Sequence, residues 1–382
     1  MKKELLVHET KKLWSVPMFA IFTVLCLIIN TLLCLPGESR KYIAYIGSVY
    51  EYTEGVMGDD FTEKLCRLPD NEYKDRLISN TAGAEDIFEG FDASEIGNHY
   101  IGLYKIGGTA ADIIDSKYKK LQYSVNALAK TEASLSVYAA EETELLHERL
   151  FRTVIRAAVT EGIIIAALMA LYLSGCEKQK GTAYCIYSTK TGRKIQRLKA
   201  ITGGIWTVSV YTLLIAAAVL AFSAMNSMGG IWNSNVSSQF NKIYSVGYSI
   251  PFITWKPFTL LEYTIASAGL GAVTVIIAYI IAFSAGILCS DTYKVFLLLF
   301  SAAVLNFGIF IFSGDSKLWL IYQLMHWTYI PLWWFEPLWF TDMGAGAMVP
   351  WQECCSAAVC LITGAFLLKT SLRRFGRKCW PP

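Results

Sequence analysis

Six stretches of this chain, residues 14–35, 154–173, 201–225, 263–288, 295–313 and 348–368, are each apolar over about the twenty residues that an α-helix needs to cross a bilayer. Inside hydrocarbon no water is present to satisfy backbone N–H and C=O groups, so runs of this kind fold as helices that pack side by side. Composition agrees: 54% of the 382 residues are hydrophobic and only 17% are charged, where a soluble globular chain carries nearer a quarter. The first run follows a basic start, MKKELLVHETKKL, as a secretory signal would. It is longer than a signal's apolar core, and Leu32, Leu33 and Cys34 lack the small residues of a cleavage site. The expected fold is therefore an all-α polytopic membrane protein with six transmembrane helices.

Charge orients the spans. Between the second and third runs lies CEKQKGTAYCIYSTKTGRKIQRLK, residues 176–199, in which Lys178, Lys180, Lys190, Arg193, Lys194, Arg197 and Lys199 face a single acid, Glu177. Lysine and arginine beside a span resist translocation, which puts this loop in the cytoplasm. Lys2, Lys3, Lys11 and Lys12, interleaved with Leu5, Leu6 and Leu13, predict an interfacial helix on the same side. Lys369, Arg373, Arg374, Arg377 and Lys378 end the chain there as well. Both termini are thus expected to be cytoplasmic. Residues 1–35 hold the interfacial helix and first span, residues 36–152 an extracytoplasmic, mostly helical domain, and residues 153–382 a membrane domain with spans two to six and the loop 176–199. The expected location is the cell (plasma) membrane, multi-pass, and the lack of an external disulfide framework favours a bacterium.

The external segment is rich in acids, among them Glu51, Glu54, Asp59, Asp60, Asp70, Glu72, Glu85 and Asp86. Pro69-Asp70-Asn71 and the glycines up to Gly108 predict short helices and loops. Beyond them Leu121, Val125, Leu128, Leu135, Tyr138, Leu145 and Leu146 recur near helical spacing, predicting one helix that runs unbroken into the second span. Residues 226–256 are expected to form a loop, and residues 290–294 a tight turn. Residues 314–350 carry Trp319, Tyr322, Trp327, Tyr329, Trp333, Trp334 and Trp339, an interfacial signature that predicts two short helices dipping into the outer leaflet.

Several chemistries are missing from the pattern. No GxxxxGK[ST] loop is present to cradle ATP, and no nucleophile elbow or paired-carboxylate motif stands out. His147-Glu148 begins like a zinc-protease helix but lacks the second histidine, and the other histidines, His8, His99 and His326, are scattered. Cys66 is alone in the polar segment, so no disulfide framework can form inside it. The chain is expected not to be an enzyme, with no cofactor or metal of its own and no nucleic-acid partner. Glu161, Glu262 and Glu353, each near the outer start of an inward-running span, are candidates for an acidic vestibule selecting cationic cargo; the alternative is that all three are merely solvated carboxylates close to the interface.

The layout resembles the membrane subunit of an ATP-binding-cassette exporter of the type-2 permease family. The likeness lies in the ELLVHETKKLWSVPMF entry, in Glu177 to Thr182 followed by Ser188 to Arg193 and Lys199, and in the aromatic segment before the last span. In that family the loop between spans two and three carries a short coupling helix that docks in a cleft of a separate ATPase. The resemblance implies such an element at residues 182–186, with Gly181 and Gly192 as flanking turns and Glu177, Thr182, Tyr184, Thr189, Arg193 and Lys199 as coupling residues. Glu177 is left two partners, a basic residue of the ATPase or Lys199 of its own chain. ATP would sit on the partner, and the partners would be that ATPase, a second permease of the same or related kind, and membrane lipid. The function implied is half of an export pathway for an amphiphilic or peptide-like substrate. The large domain at 36–152 is not a constant feature of the family. It opens the alternative of a sensing or immunity subunit that binds an antimicrobial peptide outside.

Overall fold

The computed structural model describes residues 2–377 except 38, 59, 138–141, 239, 246–247, 290 and 316–317. Asp59, Tyr138 and Lys378, named above, and Ser290, the first residue of the turn expected at 290–294, lie outside the described residues. The chain opens with α1 (Lys2–Trp14), which meets α2 (Pro17–Leu33) at a bend of 65°. Pro17 causes the break: it lacks the N–H that a continued helix requires and occupies the first turn of the new one, where none is needed. Five helices follow, α3 (Arg40–Thr53), α4 (Phe61–Cys66), α5 (Glu72–Thr81), α6 (Ser94–Tyr104) and α7 (Thr109–Lys130). Next, α8 (Glu142–His147), a π-helical stretch (Glu148–Ile155) and α9 (Arg156–Gln179) form one continuous 38-residue helix. The short α10 (Ala183–Tyr187) leads to α11 (Lys190–Met225), then strands β1 (Lys242–Ser245) and β2 (Tyr248–Pro251), α12 (Leu260–Leu288), α13 (Thr292–Asp315), α14 (Trp319–Met325), α15 (Tyr329–Trp334) and α16 (Gln352–Arg377).

Among the described residues five helices are long and apolar enough to cross a membrane, and six if α1 and α2 together make one span. α9 and α12 form the centre, with α11, α16 and α2 against them and α13 at the periphery, its Phe296, Leu298, Phe300, Leu305 and Phe312 exposed. Close approach at the centre depends on small residues. A Cβ on Gly162 would lie 2.7 Å from the Tyr211 ring, and one on Gly271 2.2 Å from its hydroxyl, so both glycines grip a tyrosine that donates to the Ala268 carbonyl at 3.0 Å.

Two expectations need correction. The helix read as continuous from residue 121 into the second span stops at Lys130. Glu132 is left-handed (φ 48°), and the strand-like stretch after it pairs with residues 55–57: Met57 N–H donates to Leu135 O at 2.7 Å and Val137 N–H to Gly55 O at 3.0 Å. Tertiary pairing here overrides helical spacing. Likewise residues 226–256, expected as loop, contain the antiparallel pair β1–β2, in register Ile243 to Ile250, within a fold that is mostly helical as expected. Both isoleucines are buried while Lys242 and Ser249 are exposed, the period of two that a half-buried strand requires.

The helices alternate in direction, so the bundle has two unlike ends. One gathers α1, α10, the last turns of α9 and α16 and the start of α11; we call it the basic end. The other, the cap end, carries α3–α7, the hairpin, α14 and α15. There Asn226 donates to Cys34 O at 3.1 Å and Ser124 to Thr254 O at 2.6 Å. The two short aromatic helices predicted for 314–350 are α14 and α15.

Candidate functional site

Glu177, in the last turn of α9, is 3% exposed and is the hub of the basic end. Its carboxylate pairs with the buried Lys199 of α11 and, at 3.2 Å, with Lys12 of α1, and accepts from the Tyr187 hydroxyl of α10 at 3.0 Å. Lys199 also donates to Leu173 O at 3.0 Å and contacts Cys176 Sγ at 3.1 Å, so its ammonium is fully engaged. Lys12 in turn holds the buried Glu9 at 2.7 Å, and Gln196 donates to Tyr187 Oη at 2.7 Å. Burial and the neighbouring carboxylate push the Tyr187 phenol well above its ordinary value, which keeps it a neutral donor. Of the two partners left open for Glu177, the structure uses its own chain, and adds Lys12 and Tyr187, which the sequence reading had not singled out.

This hub fixes α10. Gly181 (φ +69°) stops α9, and Thr189 caps α11 by accepting from Gly192 N–H at 2.9 Å. A Cβ on Gly192 would fall 1.8 Å from Ile186 O, so only glycine fits where α10 turns against α11. Arg193 closes the corner, donating to Tyr187 O at 3.0 Å and to Gly376 O of α16 at 3.2 Å, while the Tyr187 ring meets Phe375 edge-on at 4.9 Å. Ala183 and Tyr187, four apart, are the buried face of α10. Thr182, Tyr184 and Cys185 form the opposite, exposed face, with Lys180 and Gly181 beside it. Eight positions expected to act together thus divide: Glu177, Gly192, Lys199 and, half-buried, Arg193 hold the element, while Gly181, Thr182, Tyr184 and Thr189 are exposed.

Glu161, Glu262 and Glu353 are not brought together; among the described residues no contact joins them. Glu161 is half-buried and accepts from Asn30 at 2.7 Å. Glu262 is exposed and forms a capping box with Thr259. Glu353, expected to be solvated, is fully buried, because it lies inside the cap rather than at its rim.

The cap end has its own buried cation, also missed. Lys117 of α7, 2% exposed, donates to Asp342 O at 2.7 Å, Gly344 O at 2.8 Å and Ala347 O at 2.8 Å, three carbonyls of the loop that precedes α16. Tyr118 donates to Asp342 Oδ2 at 2.6 Å. The signal was present in the sequence: Lys117 lies on the same stripe as Ile114, Tyr118, Leu121 and Val125, at helical spacing on the buried face of α7. A lysine there needs a polar receptor.

No family model, curated protein or solved structure matches this chain.

Proposed function

We propose that this chain is the permease subunit of an ATP-driven exporter, with the basic end cytoplasmic and the domain of α3–α7 outside the cell. α10 is the contact for a separate cytoplasmic ATPase. Two permeases, identical or related, would enclose a pathway for an amphiphilic or peptide-like substrate that opens alternately to either side, with no covalent step on this chain. One observation carries the reading: α10 presents an exposed face while its buried face is tied through Glu177 and Arg193 to α1, α9, α11 and α16 at once. A push on that face is therefore delivered to several spans together, which is what an energy-supplying partner requires of its lever.

The test is affinity purification of the tagged full chain from its native cells, with bifunctional thiol cross-linking at Cys185. An ATPase should co-purify and cross-link through position 185, and should be lost when residues 181–193 are replaced by a Gly/Ser loop. Labelling of Cys185 by an impermeant reagent from outside intact cells, absent in Cys185→Ser, would overturn the orientation and the exporter with it.

A second reading, a sensing or immunity subunit that binds an antimicrobial peptide outside, is favoured by the Lys117 contact, which joins the domain to the loop leading into α16. Deletion of residues 37–148 separates the two: a sensor loses its response, whereas an exporter retains ATPase coupling.

A further inference from the structure

On the flank of the bundle at the basic end, α11, α12 and α16 part to leave two adjoining hollows that share Ile280 and Leu368. The larger, about 560 Å³, is floored by Ile201, Ile205 and Val208 of α11 and Ile276 of α12. Ile201 and Ile205 are more than half exposed there. The smaller, about 340 Å³, continues it toward the end of the bundle and is ringed by Arg197, Lys369 and Arg373. All three cations are exposed, none has an ion pair or side-chain hydrogen bond among the described residues, and neither lining includes a carboxylate. The contacts of Arg193 with Gly376 O and of Tyr187 with Phe375 hold α11 and α16 together just beyond this mouth, so the spacing of the cations is set by the fold.

We infer that this groove binds an anionic phospholipid, with the phosphate headgroup between Arg197, Lys369 and Arg373 and an acyl chain along Ile201, Ile205 and Val208. An apolar trough continuous with a cluster of unpaired cations matches one amphiphile, a hydrocarbon tail ending in negative charge, and basic pockets between spans take up such headgroups. A second copy of this chain fits worse, because a two-fold interface through the patch would set like cations against each other. The inference requires only that these helices cross a membrane, and so stands apart from the exporter reading.

The full chain, purified in mild detergent, is mixed with phosphatidylglycerol, phosphatidylcholine or inorganic phosphate and followed by native mass spectrometry and thermal unfolding. Phosphatidylglycerol should remain bound and raise the Tm, and the other two should do neither. The triple variant R197Q/K369Q/R373Q should lose phosphatidylglycerol by roughly tenfold or more, since each cation near an anionic headgroup contributes substantially. R374Q/R377Q, which removes neighbouring exposed charge outside the groove, should bind as wild type. Equal loss in both variants would reduce the effect to surface charge, equal retention of phosphatidylcholine would remove the headgroup's role, and a dimer that dissociates only in the triple variant would give the groove to a second copy. Each of these overturns the proposal.

Discussion

Lys199 at the basic end gives up its water to the carboxylate of Glu177, the thiol of Cys176 and one carbonyl, whereas Lys117 at the cap end gives it up to three carbonyls, the nearby Asp342 carboxylate being engaged by Tyr118. The first arrangement balances charge with charge and joins helices far apart in sequence. The second solvates a cation with neutral dipoles of one loop. Removal of a partner therefore has different consequences at the two ends: at the basic end it strands an ion, and at the cap end it strands dipoles. Their dependence on pH differs too. Burial pulls Lys117 down to about 8, against the opposing pull of Asp342, so its proton is within experimental reach.

The largest effect is expected at Glu177. Glu177→Ala leaves Lys199 buried without its counter-charge, and breaking such a pair costs about 3–5 kcal/mol. The double variant Glu177→Met with Lys199→Met removes both charges and should recover part of that loss: Lys12 retains Glu9, while the Tyr187 hydroxyl still accepts from Gln196 but loses the acceptor of its own proton. Thermal unfolding in detergent of both variants checks this. If the double variant is no better than the single, the hub is held by packing and not by charge.

Next in size is Lys117→Met, which leaves three loop carbonyls without their donor, about 1–3 kcal/mol in all if the loop relaxes around the gap. The sign with pH follows from the lowered value. Below about pH 8 the lysine is protonated both folded and unfolded, and the full cost of burying the ammonium is present. Between about 8 and its ordinary 10.5 the folded protein releases the proton while the unfolded chain still binds it, so stability rises with pH across that window. Wild type minus Lys117→Met, measured as chemical unfolding from pH 7 to 10, should show that rise; a flat difference would mean that the carbonyls hold the ammonium at its ordinary strength.

The two ends were unequally legible in the sequence. At the basic end the lone Glu177 among seven cations and the glycines at 181 and 192 mark the connector and its two turns, because each is a local effect with a local cause, and the resemblance supplied the short element between them; the bend at Pro17, equally local, was legible in the sequence and went unread. The buried partners were not legible, since Lys12 and Glu177 are 165 residues apart and nothing local announces their meeting. At the cap end the aromatic residues of 314–350 announce the two short helices, but no local signal marks the hairpin within 226–256 or the turn after Lys130. Both depend on pairing with distant backbone. Glu353 illustrates the same limit: its place at a helix start suggested exposure, and only the folding of the cap over α16 buries it.

The smallest effect is the sharpest test of the comparison, because it uses one residue type at both ends. Thr189 and Thr259 are N-caps whose hydroxyls accept from the N–H three residues on, at 2.9 Å for Thr189 and 3.2 Å for Thr259. Either threonine to alanine should cost about 1 kcal/mol of stability. Thr259 stands at the start of α12 and shares its cap with Glu262, so its loss frays one helix end and nothing more. Thr189 stands where α10 turns into α11, and its hydroxyl also donates to Ile186 O at 3.0 Å, within α10 itself. Its loss should therefore raise hydrogen exchange across Ala183–Tyr187 severalfold, while Thr259→Ala leaves those amides as they were. Equal exchange in the two variants would mean that α10 is held from beneath by Glu177 and Arg193 without the Thr189 corner, and that the corner contributes helix stability but no stiffness to α10.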